Sequence, residues 1–150
     1  MGEKVGFQDQ CAAAFGGLVL IDADSSGIRP RKFITSSDYL NYITSNLLLG
    51  FDGIERFSAV ASSKVVSSIE SSNKVSLLNE LFSISCDAID LFGEQADIST
   101  LSHYTKLSRE IKHELNGDTS NSRLHQIISA TESAGSLCTC LLYTSPSPRD

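Results

Sequence analysis

Two aspartates two positions apart, Asp22 and Asp24, have the types and spacing best suited to chemistry in this sequence. They follow an unbroken run of branched apolar residues at 18–21, which is typical of a strand, and they lead into Ser-Ser-Gly at 25–27, which is typical of a turn. Two carboxylates at the end of a strand could divide the roles of nucleophile and proton-transfer group. An ordinary Asp-Ser-Gly turn explains the same residues without any chemistry, so the sequence leaves two interpretations open.

A resemblance to a known family favours the catalytic interpretation. A branched strand that delivers Asp-x-Asp into a turn resembles the first motif of the haloacid dehalogenase-like phosphatases and phosphotransferases. The resemblance implies that Asp22 attacks phosphorus, that Asp24 acts as general acid/base, that Mg²⁺ shields the charges, and that a helical cap follows the motif. It is confined to residues 18–24, since this chain has Ser25 and Ser26 where the family usually has Gly-Thr, and the family's later motifs are not found.

Other catalytic and metal-binding patterns are incomplete. Cys138 and Cys140 form a Cys-x-Cys pair without the second pair that a tetrahedral zinc site needs. His113-Glu114 lacks the second histidine of a zinc-protease helix, and no serine has a Gly-x-Ser-x-Gly context. We therefore predict no metal site and no cofactor, with Mg²⁺ required only if the phosphatase alternative holds.

The elements that would position any site are mainly helical. Apolar residues recur every three or four positions in three consecutive segments, which predicts three amphipathic helices. The first segment carries Ile54, Phe57, Ala61, Val65 and Ile69; the second carries Val75, Leu78, Phe82, Ile89 and Phe92; the third carries Ile98, Leu101, Tyr104, Leu107, Ile111 and Leu115. Because apolar residues also fill neighbouring rows of the second helix, we expect it to be covered on more than one side.

Residues with capping preferences flank these segments. Asp52 and Glu55 have the spacing of a capping box, and Asp97 offers a start for the third helix. Gly93 and Gly117 suit the left-handed residue that often follows a helix end.

Elements on either side of the central helices complete the predicted fold. Residues 9–15 predict a short helix closed by glycines, and residues 18–21 and 28–34 predict a hairpin whose Pro30 belongs on an edge. Residues 35–37 then cap a helix that stops at Gly50 and carries Tyr39, Leu40, Tyr42, Ile43, Leu47 and Leu48. A shorter helix is expected after Ser120 or Asn121. We therefore predict a mainly α domain over residues 1–139, with four or five helices after a small N-terminal β-hairpin, arranged as a helical bundle or as a short α-solenoid fragment.

Composition excludes several classes of protein. The 150 residues are 41% hydrophobic, which is enough for one core, and the net charge of −6 disfavours binding to nucleic acid or to anionic membranes. No apolar run approaches the roughly 20 residues that a membrane span requires, and no signal peptide is evident. We therefore predict a cytoplasmic protein with no membrane span.

The last eleven residues differ from the rest of the chain. Residues 140–150 read Cys-Leu-Leu-Tyr-Thr-Ser-Pro-Ser-Pro-Arg-Asp, and this run resembles translated sequencing-adapter sequence at the end of assembled transcripts. We expect this tail to be non-native and the chain to be the N-terminal fragment of a longer protein.

The central helices indicate an interaction function. Their polar positions are largely serine, which is small and costs less to desolvate than lysine or glutamate, so these surfaces can be covered by another chain or can simply face water. We predict a scaffold or adaptor module that binds a protein partner, or the missing remainder of its own chain, through anchors such as Phe57 and Phe82. The alternative is a phosphatase or phosphotransferase fragment with a helical cap that uses Asp22 and Asp24.

Overall fold

The computed structural model describes residues 7–50, 74–116 and 122–139. The chain divides into two compact units, Met1–Leu48 and Leu49–Asp150. The elements described in the first unit are α1 (Gln8–Phe15), β1 (Val19–Asp24), β2 (Gly27–Lys32) and α2 (Ser37–Ser45), and those described in the second are α3 (Val75–Gly93), α4 (Ile98–Asn116) and α5 (Ser122–Ser133). The protein is therefore mainly α with a small hairpin, as predicted. The prediction that residues 1–139 form one domain stays a prediction.

The first unit is organised around the hairpin. Strands β1 and β2 are antiparallel, α1 contacts both of them, and Pro30 lies opposite Ile21. In a two-stranded sheet each strand is an edge, so a proline without an N–H donor is tolerated there. Side chains alternate between the faces of a strand, so Val19, Ile21 and Pro30 share one face while the aspartates of β1 lie on the other.

Helix α2 begins as predicted. The hydroxyl of Ser36 accepts a hydrogen bond from the backbone N–H of Tyr39 at 3.1 Å, which satisfies one of the free amides at the start of the helix. Tyr39 and Ile43, one turn apart, are 5% and 7% exposed and supply buried residues of this unit.

The end of α2 differs from the prediction, since the helix stops at Ser45 and not near Gly50. The side chains of Ser45 and Asn46 both donate hydrogen bonds to the carbonyl of Tyr42, at 3.0 and 2.8 Å. Short polar side chains that bond to nearby carbonyls compete with the continuation of a helix. Leu48, expected on the helix, lies beyond it and is 98% exposed.

In the second unit, α3 and α4 pack against each other and are joined by a short connection. The backbone N–H of Ala96 bonds to the carbonyl of Leu91 at 2.9 Å, and that of Gln95 to the carbonyl of Phe92 at 3.4 Å. This pattern is a Schellman motif, in which the residue after the cap has positive φ. That residue is Gln95, with φ of 56°, so the prediction that Gly93 follows the helix end in a left-handed conformation is wrong.

Helix α4 begins where the sequence predicts. Asp97 accepts a hydrogen bond from the backbone N–H of Thr100 at 2.7 Å. That bond, with smaller contributions from the Thr100 hydroxyl and the Ser99 amide, lowers the pKa of Asp97. Farther along α4, Ile111 and Leu115 are 6% and 3% exposed and form part of the core.

Helix α5 is tied to α4 by a partly buried ion pair. Both terminal nitrogens of Arg109 lie 3.1 Å from Oε1 of Glu132, and Nη1 also donates to the carbonyl of Thr139 at 3.2 Å.

Some predictions fall on residues that the structure does not describe. The predicted first central helix, which includes Phe57 and the proposed capping box, lies outside the described residues, and so does Gly117. Among the helices of residues 7–50, 74–116 and 122–139, none is long and apolar enough to cross a membrane.

Candidate functional site

The first candidate, the Asp-x-Asp pair, lies on the charged face of the hairpin. Oδ1 of Asp24 accepts hydrogen bonds from the backbone N–H of Ser26 at 2.7 Å and from the Ser26 hydroxyl at 2.5 Å. The guanidinium of Arg29 donates to both carboxylate oxygens of Asp24, at 3.2 and 2.5 Å, and to the Ser26 hydroxyl at 2.6 Å. Asp24 therefore closes the turn between the strands, as in the turn interpretation of the sequence.

These bonds change the acidity of the pair. The Arg29 guanidinium, followed by the hydroxyl and amide of Ser26, holds the pKa of Asp24 well below its ordinary value. The same contact with Asp24 raises the pKa of Arg29. A general acid needs a pKa near the working pH, so this lowered pKa works against proton donation by Asp24.

Asp22 is also paired with an arginine of β2. Its Oδ2 lies 3.5 Å from Nε of Arg31, and both side chains are about half exposed, at 48% and 61%. The two carboxylates thus form two diagonal ion pairs across one face of the hairpin, Asp24 with Arg29 and Asp22 with Arg31. Both carboxylates are therefore already held by arginine contacts within the hairpin.

An open groove of about 350 Å³ lies beside the hairpin, but Asp22 and Asp24 do not line it. Its wall is mainly apolar and comes from the ends of α1 and β2 and from α2, with residues Phe15, Leu18, Phe33, Ile34 and Leu40. Within the described ranges, no cluster of three or more histidine, cysteine or acidic side chains has the arrangement of a metal site.

The second candidate is the outer face of α3. Val75, Leu78 and Phe82 follow one another at steps of three and four residues, and they are 52%, 37% and 72% exposed. We call these three residues the apolar stripe. Since neighbours at such steps lie on one face of a helix, the apolar stripe is a continuous surface about 10 Å long. Isolated exposed apolar residues are common, but contiguous ones often mark an interaction site.

The other apolar rows of α3 are less exposed than the apolar stripe. They are half-buried and include Leu77, Leu81, Ile84, Ala88 and Leu91. Although this helix was predicted to be covered on more than one side, none of its residues is fully buried. The burial of α3 is therefore one-sided, and the apolar stripe faces solvent.

Four acidic residues lie on another face of α3, about 80–160° around the helix from Phe82. Glu80, Asp87, Asp90 and Glu94 are all exposed, and we call these four residues the acidic band. They form no ion pair within the described part of the chain. No lysine or arginine occurs between residues 75 and 105, so nothing on α3 itself offsets this charge.

The structure describes one of the two binding anchors that the sequence predicts. Of the two predicted anchors, Phe82 lies at the most exposed position of the apolar stripe, whereas Phe57 is outside the described residues. Sequence reasoning missed that Val75 and Leu78 accompany Phe82 on the solvent side. The acidic residues of α3 do not supply a signal for this face, because Glu80, Asp87, Asp90 and Glu94 lie on a different side of the helix.

No family model, curated protein or solved structure matches this chain.

Proposed function

We propose that this protein is a helical interaction module, a scaffold or adaptor, whose binding face is the apolar stripe of α3. The observation that supports the proposal is the 72% exposure of Phe82, with Val75 and Leu78 exposed on the same face of α3. Burying a phenylalanine side chain is worth roughly 1.5–3 kcal/mol, so a partner that covers Phe82 gains free energy that the free protein does not.

The composition of the stripe also fits a binding role. Aromatic side chains are enriched among the residues that dominate binding energy at protein interfaces, and Phe82 has Val75 and Leu78 on the same face to extend its contact. The neighbouring Ser83 and Asn79 are exposed and uncharged, so a partner can cover them at a lower desolvation cost than it would incur with lysine or glutamate. An amphipathic helix laid along α3 is the partner geometry that this surface fits best.

The phosphatase alternative remains a prediction from the sequence resemblance. The arginine contacts of Asp22 and Asp24 and the lowered pKa of Asp24 favour a structural role for the pair in the hairpin. We therefore place the function of the protein on α3 and not on the hairpin.

The test is site-specific photocrosslinking followed by affinity measurement. A photoreactive phenylalanine analogue is placed at position 82, and each crosslinked partner is identified, purified and titrated against the wild-type protein and Phe82→Ser. We expect Phe82→Ser to weaken binding by about 30-fold, as for an interfacial aromatic anchor worth about 2 kcal/mol.

The matched control is Ile34→Ser, which removes a 93% exposed apolar side chain from the other unit. This variant should bind the partner with wild-type affinity. A partner whose affinity is unchanged by Phe82→Ser and reduced by Ile34→Ser would place the binding surface elsewhere and overturn the proposal.

A further inference from the structure

Two histidines from different helices meet where α5 contacts α4. The imidazole rings of His113 on α4 and His125 on α5 lie edge to face, with their centroids 5.8 Å apart and an angle of 73° between their planes. Both residues are exposed. The pair forms only when the two helices come together, so its spacing in the sequence matches no metal-binding motif, and the sequence therefore predicts no metal site.

The histidine pair lies beside the ion pair that ties α5 to α4. At about 100° per helical residue, His113 lies about 40° around α4 from Arg109, and His125 lies about 20° around α5 from Glu132. Arg109 and Glu132 are in contact at 3.1 Å. Both contacts therefore lie along the facing sides of the two helices.

The separation of the two rings suits a metal ion held between them. A metal–nitrogen bond to histidine is about 2.0–2.1 Å long, so each ring centroid lies about 3.2 Å from the ion. Two rings bound to one ion in tetrahedral geometry then have their centroids about 5.2 Å apart. The step from the observed 5.8 Å to this distance is one that rotation of two exposed side chains can supply.

The donor atoms favour a transition metal over magnesium or calcium. Imidazole nitrogen suits Zn²⁺, Ni²⁺ and Cu²⁺, whereas Mg²⁺ and Ca²⁺ prefer oxygen ligands. Within the described ranges no third histidine, cysteine or acidic side chain completes a cluster, so water would fill the remaining coordination positions. Arg109, the cation one turn before His113, is already paired with Glu132, and the net charge of −6 favours the approach of a cation.

We propose that His113 and His125 form a two-histidine site for a divalent transition-metal ion that links α4 to α5. The bound ion adds a second bridge between these helices, beside the ion pair of Arg109 and Glu132. The site involves neither the apolar stripe nor any other residue of α3, so it stands independently of the proposed interaction function.

The test is isothermal titration calorimetry of the full 150-residue chain, without a histidine tag, using Ni²⁺ as the probe. His113→Gln and His125→Gln should each weaken Ni²⁺ binding by at least about tenfold, since even changes to residues that only orient a metal ligand weaken binding by about 10–100-fold. His103→Gln is the matched control, because it removes another exposed histidine of α4, one whose ring contacts Tyr104. It should leave the affinity unchanged within about twofold.

Hydrogen exchange distinguishes a bridge between two helices from binding at one histidine. Saturating Ni²⁺ should slow the amide exchange of α5 by at least about threefold in the wild-type protein and should not slow it in His113→Gln. The substituted histidines are exposed, so circular dichroism should show the same helix content in all variants.

Weaker Ni²⁺ binding in both variants of the pair, together with slower exchange of α5 in wild type, supports the site. The inference is overturned if only one of the two variants weakens binding, or if His103→Gln weakens it equally. Binding that is unchanged in both variants would place the ion on thiols or carboxylates elsewhere and would also overturn it. The same conclusion follows if wild type binds no Ni²⁺ up to about 1 mM, or if bound Ni²⁺ leaves the exchange of α5 unchanged.

Discussion

The ammonium group of Lys74, directly before α3, donates a hydrogen bond of 2.7 Å to the backbone carbonyl of Glu114, in the last turn of α4. A second bond of 3.1 Å reaches the carbonyl of Leu115. The last carbonyls of a helix have no partner within the helix and carry the negative end of its dipole. One lysine therefore caps α4 and links its end to the start of α3, as the antiparallel pairing of the two helices allows.

We expect Lys74→Met to lower the free energy of unfolding by about 1 kcal/mol, because it leaves the carbonyls of Glu114 and Leu115 without this donor. Urea unfolding followed by circular dichroism measures the effect. Lys112→Met removes an exposed lysine of α4 that makes no such contact, and it should change stability by less than about 0.5 kcal/mol. Equal effects of the two variants would mean that the Lys74 contact contributes nothing specific.

A second prediction tests the one-sided burial of the α3–α4 pair. Leu115 is 3% exposed, so Leu115→Ala should destabilise the protein by about 2–4 kcal/mol through lost burial and a cavity. Phe82 is 72% exposed, so Phe82→Ala should change stability by no more than about 0.5 kcal/mol although it removes a larger side chain. The same unfolding experiment compares them, and a large effect of Phe82→Ala would show that this ring is covered in the folded protein.

Periodicity was sufficient to predict α3 and α4 because it reports which residues share a face. The prediction of α3 and α4 was accurate to within one or two residues. Periodicity does not report which of two apolar faces of a helix is covered by another element. For this reason the sequence did not show that Val75 and Leu78 are exposed together with Phe82. The extra length predicted for α2 has a similar origin, since Leu47 and Leu48 continue the apolar pattern after Ser45 and Asn46 have ended the helix.

Two Schellman motifs among the described residues of the second unit allow an internal comparison. At the end of α5, Gly135 has φ of 100°, and the amide of Ser136 bonds to the carbonyl of Thr131 at 3.0 Å. Gln95 holds the corresponding position after α3 with φ of 56°, a region where a residue with a Cβ atom is strained.

We therefore expect Gln95→Gly to stabilise the protein by about 0.5–1 kcal/mol and Gly135→Ala to destabilise it by about 1 kcal/mol. A Cβ at Gly135 would meet no atom within 4 Å, so the second effect would come from backbone conformation and not from a clash. Thermal unfolding of both variants provides the measurement. A shift in the same direction for both would contradict this explanation.

The hairpin ion pair predicts a pH dependence. Because the Arg29 guanidinium lowers the pKa of Asp24 in the folded protein, ionised Asp24 stabilises the fold above its unfolded-state pKa, near 4. This contribution is lost as the pH falls through the lower folded-state pKa. Wild type should therefore be more stable than Arg29→Gln above about pH 4, and the two should converge in stronger acid.

A carbon-13 NMR titration of the Asp24 carboxyl group checks the cause. Arg29→Gln should move the pKa of Asp24 up towards its ordinary value of 3.8, because it removes the strongest of the hydrogen bonds that lower it. Arg31→Gln, which removes the partner of Asp22, is the control and should move the pKa of Asp24 much less. Similar shifts in the two variants would indicate a general effect of positive charge and not the specific contact.

The last prediction concerns the phosphoryl-transfer alternative. Both carboxylates of the Asp-x-Asp pair contact arginines, and neither lines the groove beside the hairpin, so we expect no Mg²⁺-dependent release of phosphate from aryl phosphates by the purified protein. The assay compares wild type with Asp22→Asn, which removes the nucleophile implied by the family resemblance. An activity that requires Mg²⁺ and is lost in Asp22→Asn would mean that the Asp22–Arg31 contact, at 3.5 Å, opens readily enough for a phosphoryl group to replace the arginine. In that case the hairpin, and not α3, would carry the function.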